Sequence, residues 1–346
     1  MTGIEPALLA AGDAGPVVAS LLSDLLDVGT LVGIVLGALS KAALYVLIAA
    51  GLSLIFGLMG VLNFAHGSFT MLGAYLGGAV MVVLVSSGTG PYARIALFFL
   101  AMAAVFGVMT AFGSAVEKRL IRPIYDRQPL FQILLTFGVV LVLDELVRIV
   151  VEVRGMQPRS DWQEALGTAP GFLQNTITVA GSTTRGLYMF EVLIGAMVVA
   201  VTWGFLTRTR YGLYIRAGSE DSEMAQALGI DIRKAFSVVF GVGSGLAAVA
   251  GVMLMWDPRF GASVPLSTDA LLIAFVVVII GGLGTFRGTV VAGLLVGLFD
   301  AVTTWLFHSA YVDFAGLPEM VMFLALVLVL IVKPQGLFGV EEVGGH

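Results

Sequence analysis

The chain has no cysteine, and only 12% of its 346 residues are charged. The first absence excludes disulfides and thiolate metal sites and leaves the redox compartment open. The second says more, because a soluble domain of this length carries about 25% charged residues. With 58% hydrophobic residues and a mean hydropathy of +1.01, this is the composition of a chain embedded in lipid. The histidines, His66, His308 and His346, are too scattered for a zinc site, so no metal is expected. Lysine is also scarce. Lys41, Lys118, Lys234 and Lys333 follow Ser40, Glu117, Arg233 and Val332, so the Gly-Lys of a phosphate-cradling Walker A loop is missing. No other catalytic constellation is present; the chain is not expected to be an enzyme, and any ATP hydrolysis belongs to another chain. The net charge of −5 argues against a nucleic-acid partner. The N-terminus lacks a basic region, its first charges being Glu5, Asp13, Asp24 and Asp27, so a cleaved signal peptide is not expected.

Glycine is abundant, at 44 residues against 11 prolines. In a bilayer, small residues four apart let helices approach closely. Gly33/Gly37, Gly73/Gly77, Gly241/Gly245, Gly284/Gly288 and Gly293/Gly297 all have that spacing. They predict a compact all-α bundle of membrane helices.

Residues 1–30 are acidic and weakly amphipathic and are read as a tail or surface helix. From Ala42 to Ala93 no Asp, Glu, Lys or Arg occurs. One crossing takes about 20 residues, so this run holds two, with a break expected at Asn63–Gly67. Further apolar spans run from Ile95 to Val116, Phe131 to Val151, Leu187 to Leu206, Ala235 to Trp256, Ala270 to Gly284, Thr289 to Phe307 and Leu317 to Val332. Between them lie a basic connection at 117–130 and a polar loop at 152–186 with Pro158 and Pro170. A second charged loop covers 207–234. The chain ends on KPQGLFG and a tail at 340–346. The 117–130 and 207–234 connections carry four and five Lys or Arg, while the alternating ones carry only Arg94, Arg154, Arg159, Arg185 and Arg259. By the positive-inside rule the first set is cytoplasmic. The expected architecture is a polytopic bundle of eight or nine crossings, N-terminus outside and C-terminus cytoplasmic, with 63–67 either re-entrant or a tight connection. The transmembrane domain is placed at 31–339.

Ionisable groups at membrane depth cost about 2.5–3.5 kcal/mol each on insertion scales, so each asks for a reason. Asp144 and Arg148 are four apart on one helix and are expected to form an intramembrane ion pair, with Glu145 alongside. Asp300 has no cation at helical spacing and needs a partner on another helix or water. Lys41 is expected to snorkel outward. His66 and Asn63 can satisfy backbone groups at the break. Asn63, His66 and Asp300 are the candidates for lining a path through the membrane.

Thr207–Lys234 is the longest charge-dense run between two apolar spans. Within it Ser219 is placed to cap a short helix, with Glu220, Asp221 and Glu223 in its first turn, favoured by the helix dipole. Met224 and Leu228 form an apolar pair at i, i+4, Ala225 leaves room for a partner, and Gly229 can end the helix in the left-handed region. Such a helix suits a groove in a partner protein; an amphipathic helix lying on the membrane is the other reading.

Several motifs in one order resemble the permeases of branched-chain amino acid ABC transporters, LivH type, over about Ser53 to Gly339. They are LIFGLMGVLNFAHGSFTMLGAY at 54–75, Glu117, Arg119, Arg122 and Pro123 after the third span, and AGSEDSEMAQALGI at 217–230. IIGGLGTFRGTVVAGLLVGLFD at 279–300 follows, with Asp300 where the family usually has Glu, and then the terminal KPQGLFG. The resemblance implies a prokaryotic plasma-membrane (inner-membrane) permease working by ATP-driven alternating access. It implies a second related permease subunit, two ABC ATPase subunits carrying ATP and Mg, and an extracytoplasmic substrate-binding protein. No cofactor would bind this chain. Ala217, Glu220, Asp221, Ala225, Leu228, Gly229 and Ile230 would form the ATPase contact. The family's Gly-Ser at the start of the first span is replaced by Ala42-Ala43 beside Lys41, which puts the substrate range in question. Urea, short amides or a sugar are alternative cargoes, and a self-sufficient secondary transporter is a rival of a different class. That rival would carry broken helices at corresponding places in two halves, of which GLMG (57–60) and GGLG (281–284) are a short echo.

Overall fold

The computed structural model describes residues 14–156, 161–309, 314 and 316–339. Glu5, Asp13, Pro158, Arg159, His346 and the 340–346 tail lie outside the described residues. The fold is helical. Helix α1 spans Ala14–Leu26 and α2 Val28–Met59; α3 is His66–Leu84 and α4 Pro91–Val116. A π-turn at Glu117–Ile121 and a 3-10 turn at Arg122–Ile124 lead to α5, Pro129–Val153. After short helices α6 (Gln163–Leu166) and α7 (Gly171–Gln174), strands β1 (Thr176–Val179) and β2 (Ser182–Arg185) form a hairpin. The chain continues through α8 (Gly186–Arg208), α9 (Arg210–Glu220), α10 (Ser222–Ala227) and α11 (Ile232–Leu254). It closes with α12 (Leu266–Gly281), α13 (Phe286–His308) and α14 (Leu317–Val332).

Among the described residues, α2, α3, α4 with its following turns, α8, α11 and α13 are long and apolar enough to cross a membrane; α12 and α14 are shorter apolar helices. Helix α2 is the axis of the bundle, packing against α8, α11, α12 and α13. Its 32 residues make a rod of about 48 Å. Asp27, extended at φ −74° and ψ 124°, caps it by accepting from the Thr30 amide, so the first long helix starts at Val28 rather than 31. Ile48, Ala49 and Ile55 are fully buried along it.

Glycine sets how closely the helices approach. A methyl group at Gly73 would strike the Ala248 carbonyl of α11, and one at Gly241 the Thr110 carbonyl of α4. Gly293 and Gly297 sit against Val46 and Ala42 of α2. The four-residue spacing of these pairs is therefore the imprint of helix contacts.

Two interruptions shape the interior. Helix α2 ends where Gly60 turns left-handed at φ 62°, and the chain folds back so that His66, the first residue of α3, reaches the Ile48 carbonyl. Ile48 lies eleven residues before Met59, about 16 Å back along the helix. Helix α3 therefore begins inside the bundle and runs toward the hairpin end, where Gly78 meets Trp162. The second interruption was not anticipated: residues 255–265 return inward, and α12 starts beside α3, with Gly67 against the Ser267 carbonyl. Helix α12 then runs the opposite way, to the turn at Gly282–Gly284, which packs on Gly57. The GLMG and GGLG turns thus meet.

The bundle is all-α as expected, and one short hairpin stands in the polar loop beside it. Ala180 and Gly181, at φ 46° and 88°, make a two-residue turn of the kind that matches strand twist. Thr176 pairs with Arg185 and Val179 with Ser182, and the turn rests on Gly29 at the start of α2.

Gly73→Val is expected to lower the melting temperature of the detergent-solubilised protein, by an overpacking penalty of about 1–3 kcal/mol. Gly107→Ala, where an added methyl meets nothing within 4 Å, is expected to leave it unchanged.

Candidate functional site

At the hairpin end, α2, α12, α13, α14 and the hairpin enclose a cavity of about 980 Å³. Lys41 projects into it from α2 and, contrary to the snorkelling expectation, pairs inward. Its Nζ lies 2.6 Å from Asp300 Oδ1 and 2.7 Å from Thr304 Oγ1 of α13. Tyr45, one turn on, donates to the second Asp300 oxygen. Lys41 and Tyr45 are four apart on one face of α2, so Asp300 receives the cation and the hydroxyl from the same helix. Beside this group, Arg259 reaches from the 255–265 segment between two carboxylates. Nη2 is 2.7 Å from Glu191 Oε2 of α8, and Nε is 2.8 Å from Asp257 Oδ2. The guanidinium lies 4.2 Å from the centre of the Tyr188 ring, and Ser40 also donates to Glu191. The cavity wall thus offers charges of both signs, held in place by buried partners.

The expected Asp144–Arg148 pair is not formed. The Asp144 carboxylate accepts from Ser68 Oγ at 2.7 Å and Ser267 Oγ at 2.5 Å, in the first turns of α3 and α12. Both helices point the positive ends of their dipoles there, a better site for a carboxylate than its own helix surface. Arg148 instead contacts Glu145, with Nε 3.3 Å from Oε2. Asn63 and His66 are fully buried and stand apart from the hairpin-end cavity. Asn63 Oδ1 accepts from the Ala65 amide, and His66 Nε2 donates to the Ile48 carbonyl at 2.7 Å. They hold the first interruption together. Of the three path candidates, Asp300 lines the hairpin-end cavity.

At the opposite end, 207–234 folds into α9 and α10. Thr209 caps α9 by accepting from the Gly212 amide, and Gly218 packs on Leu58 of α2 and Ile232 of α11. Asp221, not Ser219, caps α10: its extended backbone aims Oδ1 at the Met224 amide, 2.8 Å away. Ser219 bonds back to Arg216, and Glu220 ends α9 rather than starting α10. Gly229 at φ 86° ends α10, with Ile230 N bonded to Ala225 O and Gly229 N to Gln226 O, the paired pattern of a Schellman cap. Met224 and Leu228 are 57% and 77% exposed. Ala225, expected on the partner face, is buried toward this chain at 2%, on the edge of the helix next to the exposed pair. Lys234, hydrogen-bonded to Asp231, holds that carboxyl below the usual range. The neighbouring 117–125 turn is tied to the same loop. Glu117, wholly buried, accepts from Arg122, Tyr125 and Ser237. Burial, then the bond to Glu117, raises the Tyr125 hydroxyl and keeps it a donor.

The family described as "Branched-chain amino acid transport system / permease component" matches residues 34–333. The chain belongs to this permease family. It is 30% identical over 313 residues to the high-affinity branched-chain amino acid transport system permease protein BraD of Pseudomonas aeruginosa, covering 88% of this chain and 94% of that protein. It is 30% identical over 304 residues to LivH of Escherichia coli, covering 86% and 92%. A probable LivH of Methanocaldococcus jannaschii is 25% identical over 309 residues, covering 88% and 91%. No solved structure matches. Its relatives and its membrane-spanning helices make this permease a multi-pass membrane transport component.

Sequence reading missed the Arg259 cluster of the permease. Glu191 stands alone among apolar residues between Leu187 and Leu206, which is a signal, but its partners come from 40 and 257–259. Ser237 gave no signal at all.

Removing one member of the Lys41–Asp300 pair, whose side chains are 13% and 11% exposed, strands a largely buried charge. Asp300→Leu is expected to destabilise the permease by about 3–5 kcal/mol. Adding Lys41→Met should recover most of that loss, measured by thermal unfolding in detergent; equal losses in the single and double variants would contradict the pairing.

Proposed function

We propose that the chain is the permease subunit of an ABC importer that moves branched-chain, hydrophobic amino acids across a prokaryotic plasma membrane by ATP-driven alternating access. The relatives BraD and LivH are named for branched-chain amino acid transport, and a free amino acid carries both an ammonium and a carboxylate. A cavity walled by Lys41, Arg259 and Asp300 presents counterions for both. We place the hairpin end outside, facing a substrate-binding protein, and the 207–234 end in the cytoplasm, as the arginine and lysine count favours. Two ABC ATPase subunits, carrying ATP and Mg, dock there, and a second permease subunit completes the membrane portion.

The observation that carries this reading is the continuity of α2. It contributes Lys41 and Tyr45 to the cavity wall and, seventeen residues beyond Lys41, places Leu58 against Gly218 of the 207–234 loop. A single rigid helix therefore joins the candidate cargo site to the candidate ATPase contact. The contact itself is the exposed ridge of Met224 and Leu228, flanked by Glu220 and Glu223. Ala217, Asp221, Ala225, Gly229 and Ile230 set the shape and seat of the α9–α10 corner behind it. Force applied to the ridge reaches α2 through Gly218 and α11 through Ile232.

One observation favours a second reading. The interruptions at 60–65 and 255–265 put two helix starts face to face inside the bundle, the arrangement of ion-coupled secondary transporters. Urea, short amides or a sugar remain alternative cargoes on the same scaffold.

Leu228→Asp changes an exposed side chain and should leave membrane insertion and melting temperature intact. The expected result is loss of ATPase co-purification and of ATP-dependent uptake by more than tenfold, which corresponds to about 1.4 kcal/mol or more of lost contact. Normal uptake at normal expression would remove the ATPase contact from α10.

A further inference from the structure

Helices α3 and α5 enclose a second hollow, a cleft of about 720 Å³ that shares no residue with the hairpin-end cavity. Leu72, Leu76 and Val83 of α3 form one wall, and Leu143, Val147 and Val150 of α5 the other. The residues recur at helical spacing, so each helix lends one apolar face. Asp144, Glu145 and Arg148 of α5 do not line the cleft. Helix α3 is long and apolar enough to cross a membrane. From Leu72 to Val83 its wall rises about 16 Å, close to half of a hydrocarbon core about 30 Å thick. The trough therefore has the depth of one leaflet's acyl chain.

One end of the trough is polar. Arg154, Trp162 and Glu164, from the end of α5 and the segment after it, close it together with Tyr75 of α3. The Tyr75 and Trp162 rings stack with their centres 6.2 Å apart, and these are the residue types enriched where hydrocarbon meets water. Trp162 Nε1 is buried without a hydrogen-bond partner, a donor that asks for an acceptor. Arg154 and Glu164 line the same cleft, yet neither forms an ion pair with the other or with any other described residue. A base and an acid held apart in this way fit a group that carries both complementary charges.

We infer that the cleft seats one glycerophospholipid whose headgroup carries both a phosphate and a primary ammonium, the chemistry of phosphatidylethanolamine. An acyl chain fills the apolar trough, where burial of its surface drives binding. The phosphate accepts from Arg154 and the Trp162 N–H, and the ammonium donates to Glu164. A headgroup of net negative charge meets Glu164 as a repulsion. A trimethylated ammonium has no N–H to offer that carboxylate, and a free phosphate leaves the trough unfilled. The site is separate from the cargo cavity and does not rest on the importer reading.

The test uses the full-length chain, purified in mild detergent, stripped of lipid and titrated with three lipids of identical acyl chains. These are phosphatidylethanolamine, phosphatidylglycerol and phosphatidylcholine, and native mass spectrometry counts the bound molecules. The expected result is one phosphatidylethanolamine per chain, held at least about tenfold more tightly than either of the others, the worth of one charge-assisted hydrogen bond. Glu164→Lys should shift the preference to phosphatidylglycerol, and Arg154→Gln should weaken both of these lipids. Both side chains are exposed, so an unchanged melting temperature shows that the fold is kept. Equal binding of the three lipids, or a phosphatidylethanolamine preference that Glu164→Lys leaves intact, overturns the site. A second readout needs neither variant. The chain has no cysteine, so Ala79→Cys, in the cleft wall, can be labelled in native membranes with a thiol-directed benzophenone and irradiated. Adducts to ethanolamine lipid are expected; adducts mainly to a protein chain or to anionic lipid overturn the site.

Discussion

The Asp144 carboxylate, shared between Ser68 and Ser267, ties together three parts of the chain that are far apart in sequence. Helices α3 and α12 both begin inside the bundle and run in opposite directions from that point. A helix start leaves amide donors unsatisfied, and a buried start needs an acceptor more than an exposed one does. The Asp144 carboxylate accepts from the serine hydroxyls in these two first turns and complements both dipoles. The interruptions at 60–65 and 255–265 can exist within the bundle because this acceptor and the His66–Ile48 bond are there. Irregular backbone at membrane depth is tolerated where protein shields it, and that is where both interruptions lie.

This arrangement also sets the working geometry. The second interruption carries Arg259, held from behind by the buried Asp257, into the wall of the hairpin-end cavity, beside Lys41 and Asp300 on the neighbouring helices. At the other end, the turn that ends α12 packs on Gly57, one residue from the Leu58 that touches the 207–234 loop. The cavity and the loop are thus joined twice, through α2 and through α12. Buried ion pairs seldom add much to stability. In the proposed importer, the Lys41–Asp300 and Arg259–Glu191 pairs would recognise a charged cargo by exchanging partners with it.

Much of the helical layout was readable from the sequence. Charge-free runs marked the spans, Asn63 and His66 marked the first interruption, and the glycine spacing marked the close crossings. Local rules failed where two solutions compete at short range. Asp144 has a base four residues away, but hydroxyls from two other helices offer it hydrogen bonds at a pair of dipoles. Ser219 and Asp221 are both good caps, and the extended backbone at Asp221 decides between them. Ala225 sits beside Met224 in sequence, yet it is buried while Met224 is exposed. Long-range pairings were out of reach for a different reason. Lys41 and Asp300 lie 259 residues apart, and no periodicity on either helix announces the other. The hairpin stayed hidden because eight strand residues in a polar loop carry too little pattern to separate them from the coil around them.

In the proposed importer this chain moves cargo only as part of an ATP-driven assembly. The most direct test is leucine uptake into proteoliposomes holding the permease alone or with its ATPase subunits, a second permease subunit and a loaded binding protein. The account predicts uptake that requires the full assembly and ATP, with none from the permease alone under any imposed ion gradient. Gradient-driven leucine accumulation by the permease alone would contradict it.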